Sequence, residues 1–106
     1  MQVAVDVDGV ISNTIPHMIK EIEKRGYSVT FDRYNPSIPS IENIEEFMYE
    51  IVNEVYLKMD QIKPYEDAVE AIPLISKHIG PITFVTARKE HWHAATLKWL
   101  QNNFKR

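Results

Sequence analysis

Cysteine is absent from this chain, and with it go disulfides and every metal site built on thiolates. A cysteine-free composition is compatible with a reducing compartment. A basic footprint is missing as well. Lys and Arg number 12 against 15 Asp and Glu, leaving a net charge of -3, and the isoelectric point lies near 5.8. Such a balance offers no electrostatic platform for a nucleic acid polymer and no polybasic patch for a membrane surface. No apolar run approaches the roughly 20 residues that a membrane-spanning helix needs. The N-terminus opens on a strand-like run rather than a charged segment leading into a long apolar one, so no secretory leader is expected. Internal repeats and low-complexity tracts are also missing. These absences direct the expectation to a soluble, cytoplasmic protein.

What is present fits one small globular unit. At 106 residues and 12.4 kDa, one domain is expected, with room for a small insertion. A compact chain of this mass would bury roughly two-thirds of its unfolded surface, enough for a thin core.

Read in order, the run Val3-Ala4-Val5-Asp6-Val7 is dominated by valine, as expected of a strand covered on both faces. Gly9 permits a tight turn out of it. Thr14-Ile15-Pro16 predicts a helix start with proline in the first turn, and Ile15, Met18, Ile19 and Ile22 keep helical spacing up to a stop at Gly26. Residues 27–41, with Pro36 and Pro39, read as a loop. Asn43 and Glu46 resemble a capping box, followed by an apolar stripe from Ile44 to Met59 that Lys63-Pro64-Tyr65 breaks. Asp67 to His78 predicts a third helix that either kinks at Pro73 or restarts there. Gly80-Pro81 ends it, Ile82 to Val85 reads as a second strand, and residues 89–103 predict a last helix with Trp92, Ala95, Thr96, Trp99 and Leu100 on one face.

Two motifs stand at the ends of the two strand-like runs. Asp6-Val7-Asp8-Gly9-Val10 supplies two carboxylates, and Thr86-Ala87-Arg88 supplies a hydroxyl and a guanidinium. In a parallel sheet both runs end at the carboxyl edge, where open α/β proteins bind ligands. The set suits a divalent cation and a phosphate. A carboxylate at a strand end can ligate a hard cation or attack phosphorus, and a second acid two residues on can protonate a leaving oxygen. Plainer readings stand beside this one. Asp-Gly is a common turn dipeptide, threonine is a common strand residue and helix cap, and an arginine is often a solvated surface charge. A calcium loop does not fit, because Val10 and Ile11 occupy positions where it needs an oxygen ligand and then glycine. A receiver-type phosphoacceptor lacks an acidic pair opening a second strand. His91 and His93 diverge on a helix and make no zinc pair, while His17 and His78 are isolated. Tyr27, Phe31 and Tyr34 could line a substrate mouth, with packing as the plainer reading.

On these residues the chain resembles the haloacid dehalogenase-like hydrolase superfamily. Asp6-Val7-Asp8-Gly9-Val10 is similar to its first motif and Thr86 to its second. Asp-Val-Asp-Gly-Val-Ile at 6–11, Lys63-Pro64-Tyr65-Glu66-Asp67-Ala68, Phe84-Val85-Thr86-Ala87-Arg88 and Lys98-Trp99-Leu100 resemble its 5'(3')-deoxyribonucleotidase-like branch. The resemblance implies a partial Rossmann-like parallel sheet of α/β class, with a core from 1–11 and 64–106 and a small helical cap inserted at about 12–63. It implies Mg2+ as cofactor, with Asp6 as nucleophile and metal ligand. Asp8 is the implied general acid/base and contributes its carbonyl to the metal. Thr86 is the implied phosphoryl holder, joined by Arg88 and Gly9 at the phosphate. The implied substrate is a small phosphorylated molecule, nucleotide-like in that branch.

The superfamily continues with a lysine near the phosphoryl group and a strand ending in acids. This sequence ends at Arg106, and Lys89 and Lys105 lie too near the second motif to replace that lysine. The chain is therefore expected to be the N-terminal portion of such a protein. An exposed edge on the first strand would pair with a second copy, giving a homo-oligomer. The alternative expectation is a non-catalytic phosphate- or metal-binding module, or a subunit awaiting a complementary chain.

Overall fold

The computed structural model of this protein describes residues 2–33 and 35–104. These run as β1 (Val3–Asp6), α1 (Ile15–Lys24), β2 (Thr30–Asp32), β3 (Asn35–Ser37), α2 (Ile44–Leu57), a 3₁₀ turn at Met59–Gln61, α3 (Glu66–His78), β4 (Ile82–Val85), a 3₁₀ turn at Glu90–Trp92 and α4 (His93–Asn103). The chain is thus mixed α/β, with four helices and a two-stranded parallel sheet among the described residues. It divides into two compact units, one of Met1–Asn13 with Met59–Arg106 and the other Thr14–Lys58.

In the first unit β1 and β4 pair parallel, with Val3 opposite Ile82 and Asp6 opposite Val85. The sheet is covered on one face only, which corrects the expectation of a strand buried on both. Ala4, Asp6, Thr83 and Val85 are exposed, whereas Val3, Val5, Ile82 and Phe84 are half-buried. The covered face carries the aromatic packing, with Phe84 6.1 Å from Phe104 and Phe104 6.0 Å from Trp99. Valine at 3 and 5 is explained by that face. A strand with a polar-tolerant outer face needs alternation, and Ala4 is too small to signal it. Trp99 closes the unit from α4, its Nε1–H donating to the Ile62 carbonyl at 2.9 Å.

α3 runs unbroken through Pro73. Both Pro73 and Val69, whose carbonyl would otherwise receive the missing N–H, lie on the exposed side, where water can serve instead. The last helix does not begin at 89. Lys89 is extended, Glu90–Trp92 is 3₁₀, and α4 buries Thr96, Trp99 and Leu100 while Ala95 stays exposed.

In the second unit α1 packs on α2. α1 ends as the glycine predicts. Gly26 has φ +90, its N–H donates to the Glu23 carbonyl, and the Tyr27 N–H reaches back to Ile22. This is a Schellman ending, in which the left-handed residue falls on the one type that tolerates it. Asn43 caps α2 by accepting from the Glu46 N–H at 3.1 Å, and its amide donates to the Glu46 carboxylate at 3.2 Å. α2 stops at Leu57, so Met59 belongs to the following 3₁₀ turn rather than to the helical stripe.

The stretch 27–41 is not all loop. β2 and β3 form an antiparallel hairpin pairing Phe31 with Pro36. Only alternate pairs of an antiparallel ladder exchange N–H···O bonds, so a proline is tolerated at a pair that does not. Tyr27 stacks edge-on against Phe47 at 5.2 Å, as packing predicts. Phe31 is half-buried in the hairpin. Tyr34 and Lys105 lie outside the described residues.

Candidate active site

The site grows from the carboxyl ends of β1 and β4. Because the strands are parallel and in register at Asp6 and Val85, the first acid and Thr86 emerge at one end of the sheet. The ladder continues one step further, with the Val7 N–H donating to Val85 O at 3.1 Å. The same N–H reaches Asp6 Oδ1 at 2.9 Å. One Asp6 carboxylate oxygen is therefore tied to its own strand end. Its other oxygen has no hydrogen-bond partner among the described residues, and the residue is exposed.

The chain then turns sharply. Val7 O accepts from Ile11 and Ser12 at 3.0 and 2.9 Å, and more distantly from Val10 at 3.4 Å. Gly9 sits at φ +77, in the left-handed region that a residue with a Cβ enters only at a cost of roughly 1–2 kcal/mol. Its N–H donates to Ser12 O at 3.0 Å. Gly9 therefore shapes the turn, and its N–H is spent within the protein rather than offered to a phosphate. Tyr65 N–H to Ile11 O (3.0 Å) and Asn13 N–H to Lys63 O (3.1 Å) fasten the turn to the Lys63-Pro64-Tyr65 segment.

Asp8 and Arg88 form the strongest contact of the site. Arg88 Nη2 lies 2.7 Å from Asp8 Oδ1, and Arg88 Nε lies 2.9 Å from Asp8 Oδ2. This is a bidentate fork, the strong form of a charge-assisted hydrogen bond. The Arg88 side chain is only 1% exposed, against 30% for Asp8. Arg88 Nη1 donates to Thr96 Oγ1 at 3.0 Å and toward Met59 Sδ at 3.2 Å. The guanidinium expected at the phosphate is buried, and these donors meet protein acceptors. Its main chain is fixed too. The Arg88 N–H donates to Thr86 Oγ1 at 3.1 Å, and the His93 ring Nε2 lies 3.0 Å from Arg88 O.

Thr86 is half-buried. With its oxygen accepting from Arg88, the hydroxyl hydrogen remains to donate. The Ala87 N–H has no acceptor among the described residues.

The donors can be tested against magnesium. No group of three or more His, Cys, Asp or Glu residues that could hold a metal occurs among the described residues. Both Asp8 carboxylate oxygens accept from Arg88. The expected protein ligands are the Asp6 carboxylate and the Asp8 carbonyl. Magnesium commonly takes one or two protein oxygens and completes its octahedron with water and substrate oxygens, so the donor chemistry fits a weakly held ion and not a carboxylate cage.

Thr96, Met59 and His93 were not expected in this network. Thr96 did leave a trace in the sequence, as a hydroxyl in the stripe of α4 that carries Trp99 and Leu100. Met59 and His93 left none. No helix of the described residues is long and apolar enough to cross a membrane. No protein-family model, no curated protein and no solved structure matches the chain.

Proposed function

We propose that this chain carries the site of a magnesium-dependent phosphomonoester hydrolase of haloacid dehalogenase type, with nucleotide-like substrates. The observation that carries the proposal is the parallel pairing that sets Asp6 opposite Val85, one residue before Thr86. The outward oxygen of Asp6 attacks phosphorus, and an O–P bond forms as the bond to the leaving oxygen breaks. Asp8 gives that oxygen a proton. Water then attacks the aspartyl-phosphate at phosphorus and loses its proton to Asp8, releasing inorganic phosphate and the Asp6 carboxylate. The Thr86 hydroxyl and the Ala87 N–H hold phosphoryl oxygens through both steps. Magnesium, held by the Asp6 carboxylate and the Asp8 carbonyl, would supply neutralisation of phosphoryl charge.

A guanidinium fork favours the ionised form of its carboxylate partner. Asp8 as seen is therefore set for the second step, and its acid role needs the pair to loosen. That same observation, with the thin metal donor set, favours the second reading: a module that binds phosphate without turning it over. Turnover of p-nitrophenyl phosphate and of nucleoside monophosphates, with and without magnesium, separates the two. The first reading expects a slow, magnesium-dependent rate. Phosphate binding by calorimetry with no turnover would select the second.

The same proposal includes a second copy of the chain and a cytoplasmic setting, where magnesium and phosphorylated nucleotides are plentiful. Each strand of the parallel sheet has a partner on one side only among the described residues, and Val85 is 50% exposed on the uncovered face. Open edges and bare apolar faces are templates for pairing. Light scattering at micromolar concentration should give about twice 12.4 kDa or more. A monomeric mass with slow hydrogen exchange throughout Val3–Asp6 would reject the pairing.

A further inference from the structure

We propose that Arg88 is a positioning residue, which locks Asp8 to the turn carrying Thr86, and is not a ligand of the phosphoryl group. The inference rests on the phosphohydrolase reading for its consequence, though not for its geometry. Contacts with five residues make Arg88 the joint between the two motifs. Its main-chain N–H is anchored on Thr86 Oγ1 and its carbonyl on the His93 ring. Its guanidinium grips both Asp8 oxygens on one side and reaches Thr96 and Met59 on the other. A side chain 1% exposed has no open face to offer an anion. The group that holds phosphate and the group that moves a proton are therefore spaced by a single residue that touches neither substrate nor metal.

The planar fork is what makes this possible. Lysine keeps the charge but presents a point donor, and it cannot hold both carboxylate oxygens while also reaching Thr96. Thr96 in turn orients the guanidinium from the far side, so its loss should loosen the same joint without touching any reacting atom.

Steady-state kinetics on the full chain with p-nitrophenyl phosphate and magnesium, together with inhibition by inorganic phosphate, test the assignment. Arg88→Lys and Arg88→Gln should lower kcat by about 10²-fold, as expected for a misplaced proton-transfer group. KM and the phosphate inhibition constant should stay within about twofold, because ground-state binding is untouched. Thr96→Val should move kcat in the same direction by a smaller factor, measured well below its melting temperature. A phosphate inhibition constant raised about tenfold or more with kcat little changed would overturn the proposal.

A second measurement does not depend on turnover. The Arg88 Nε–H resonance should be slow to exchange, should move in Asp8→Asn, and should stay in place as inorganic phosphate is added. Absence of any turnover in the unaltered chain would remove the hydrolase reading, yet this resonance would still report whether Asp8 is the partner of Arg88. Movement of the Arg88 resonance with phosphate, and none in Asp8→Asn, would make Arg88 the anion ligand after all.

Discussion

Replacing Asp8 by asparagine should destabilise the fold by about 3 kcal/mol, the lower end of the cost of breaking a buried ion pair by removing one partner. The reason is the asymmetry of burial. Asp8→Asn takes the bidentate carboxylate away from the guanidinium of Arg88, which is 1% exposed. Arg88→Met removes the buried cation instead and leaves Asp8, 30% exposed, free to regain water. That change should cost about 1–2 kcal/mol, mostly the loss of paired hydrogen bonds. The double variant Asp8→Asn with Arg88→Met should then be clearly less unstable than the sum of the two, since residues joined in one network do not add. In a domain of this size 1 kcal/mol shifts the melting temperature by about 4–8 °C, so thermal unfolding resolves all three. Equal costs for the two single changes, adding without coupling, would contradict the described pair.

The largest effect on chemistry belongs to Asp6. Asp6→Asn keeps the shape and the acceptor for the Val7 N–H (2.9 Å to Oδ1) but removes the carboxylate proposed here as nucleophile and magnesium ligand. Turnover of p-nitrophenyl phosphate should fall by about 10³-fold or more, as when a covalent nucleophile is deleted elsewhere. Stability should change little, because Asp6 is exposed and has no ion-pair partner among the described residues. A magnesium-dependent rate that survives the substitution would remove Asp6 as nucleophile.

The ends of the strands were legible because they rest on short-range signals. Valine-rich and Ile-Thr-Phe-Val runs predict strands, and Asp6 and Thr86 follow from counting to their ends. Helix ends at Gly26 and Asn43 were legible for the same reason, since a left-handed stop and a capping side chain act within four residues. The hairpin was hidden by Pro36, which ordinarily argues against a strand and is tolerated here only through its register with Phe31. The bare face of β1 was hidden because coverage depends on what packs above it, not on the strand itself.

Arg88 shows the limit most clearly. Beside two acids and a threonine, an arginine in the sequence suggests an anion ligand. Its burial under Thr96 and Met59 depends on residues 8 positions after it and 29 before it, which no local pattern records. Proline 73 was ambiguous in the opposite sense. Whether a helix bends or continues depends on whether water reaches the freed carbonyl, and on the exposed face of α3 it can.

The proposed site joins the turn after Asp6 and the segment after Val85 around one divalent cation and one phosphate. Amide NMR of the whole chain during titration with magnesium and inorganic phosphate tests it most directly. Shifts are expected to appear together at Asp6 to Gly9 and at Thr86 and Ala87, and only at millimolar metal, because so few protein oxygens are proposed as magnesium ligands. Shifts confined to one of the two segments, or centred elsewhere in the chain, would contradict it.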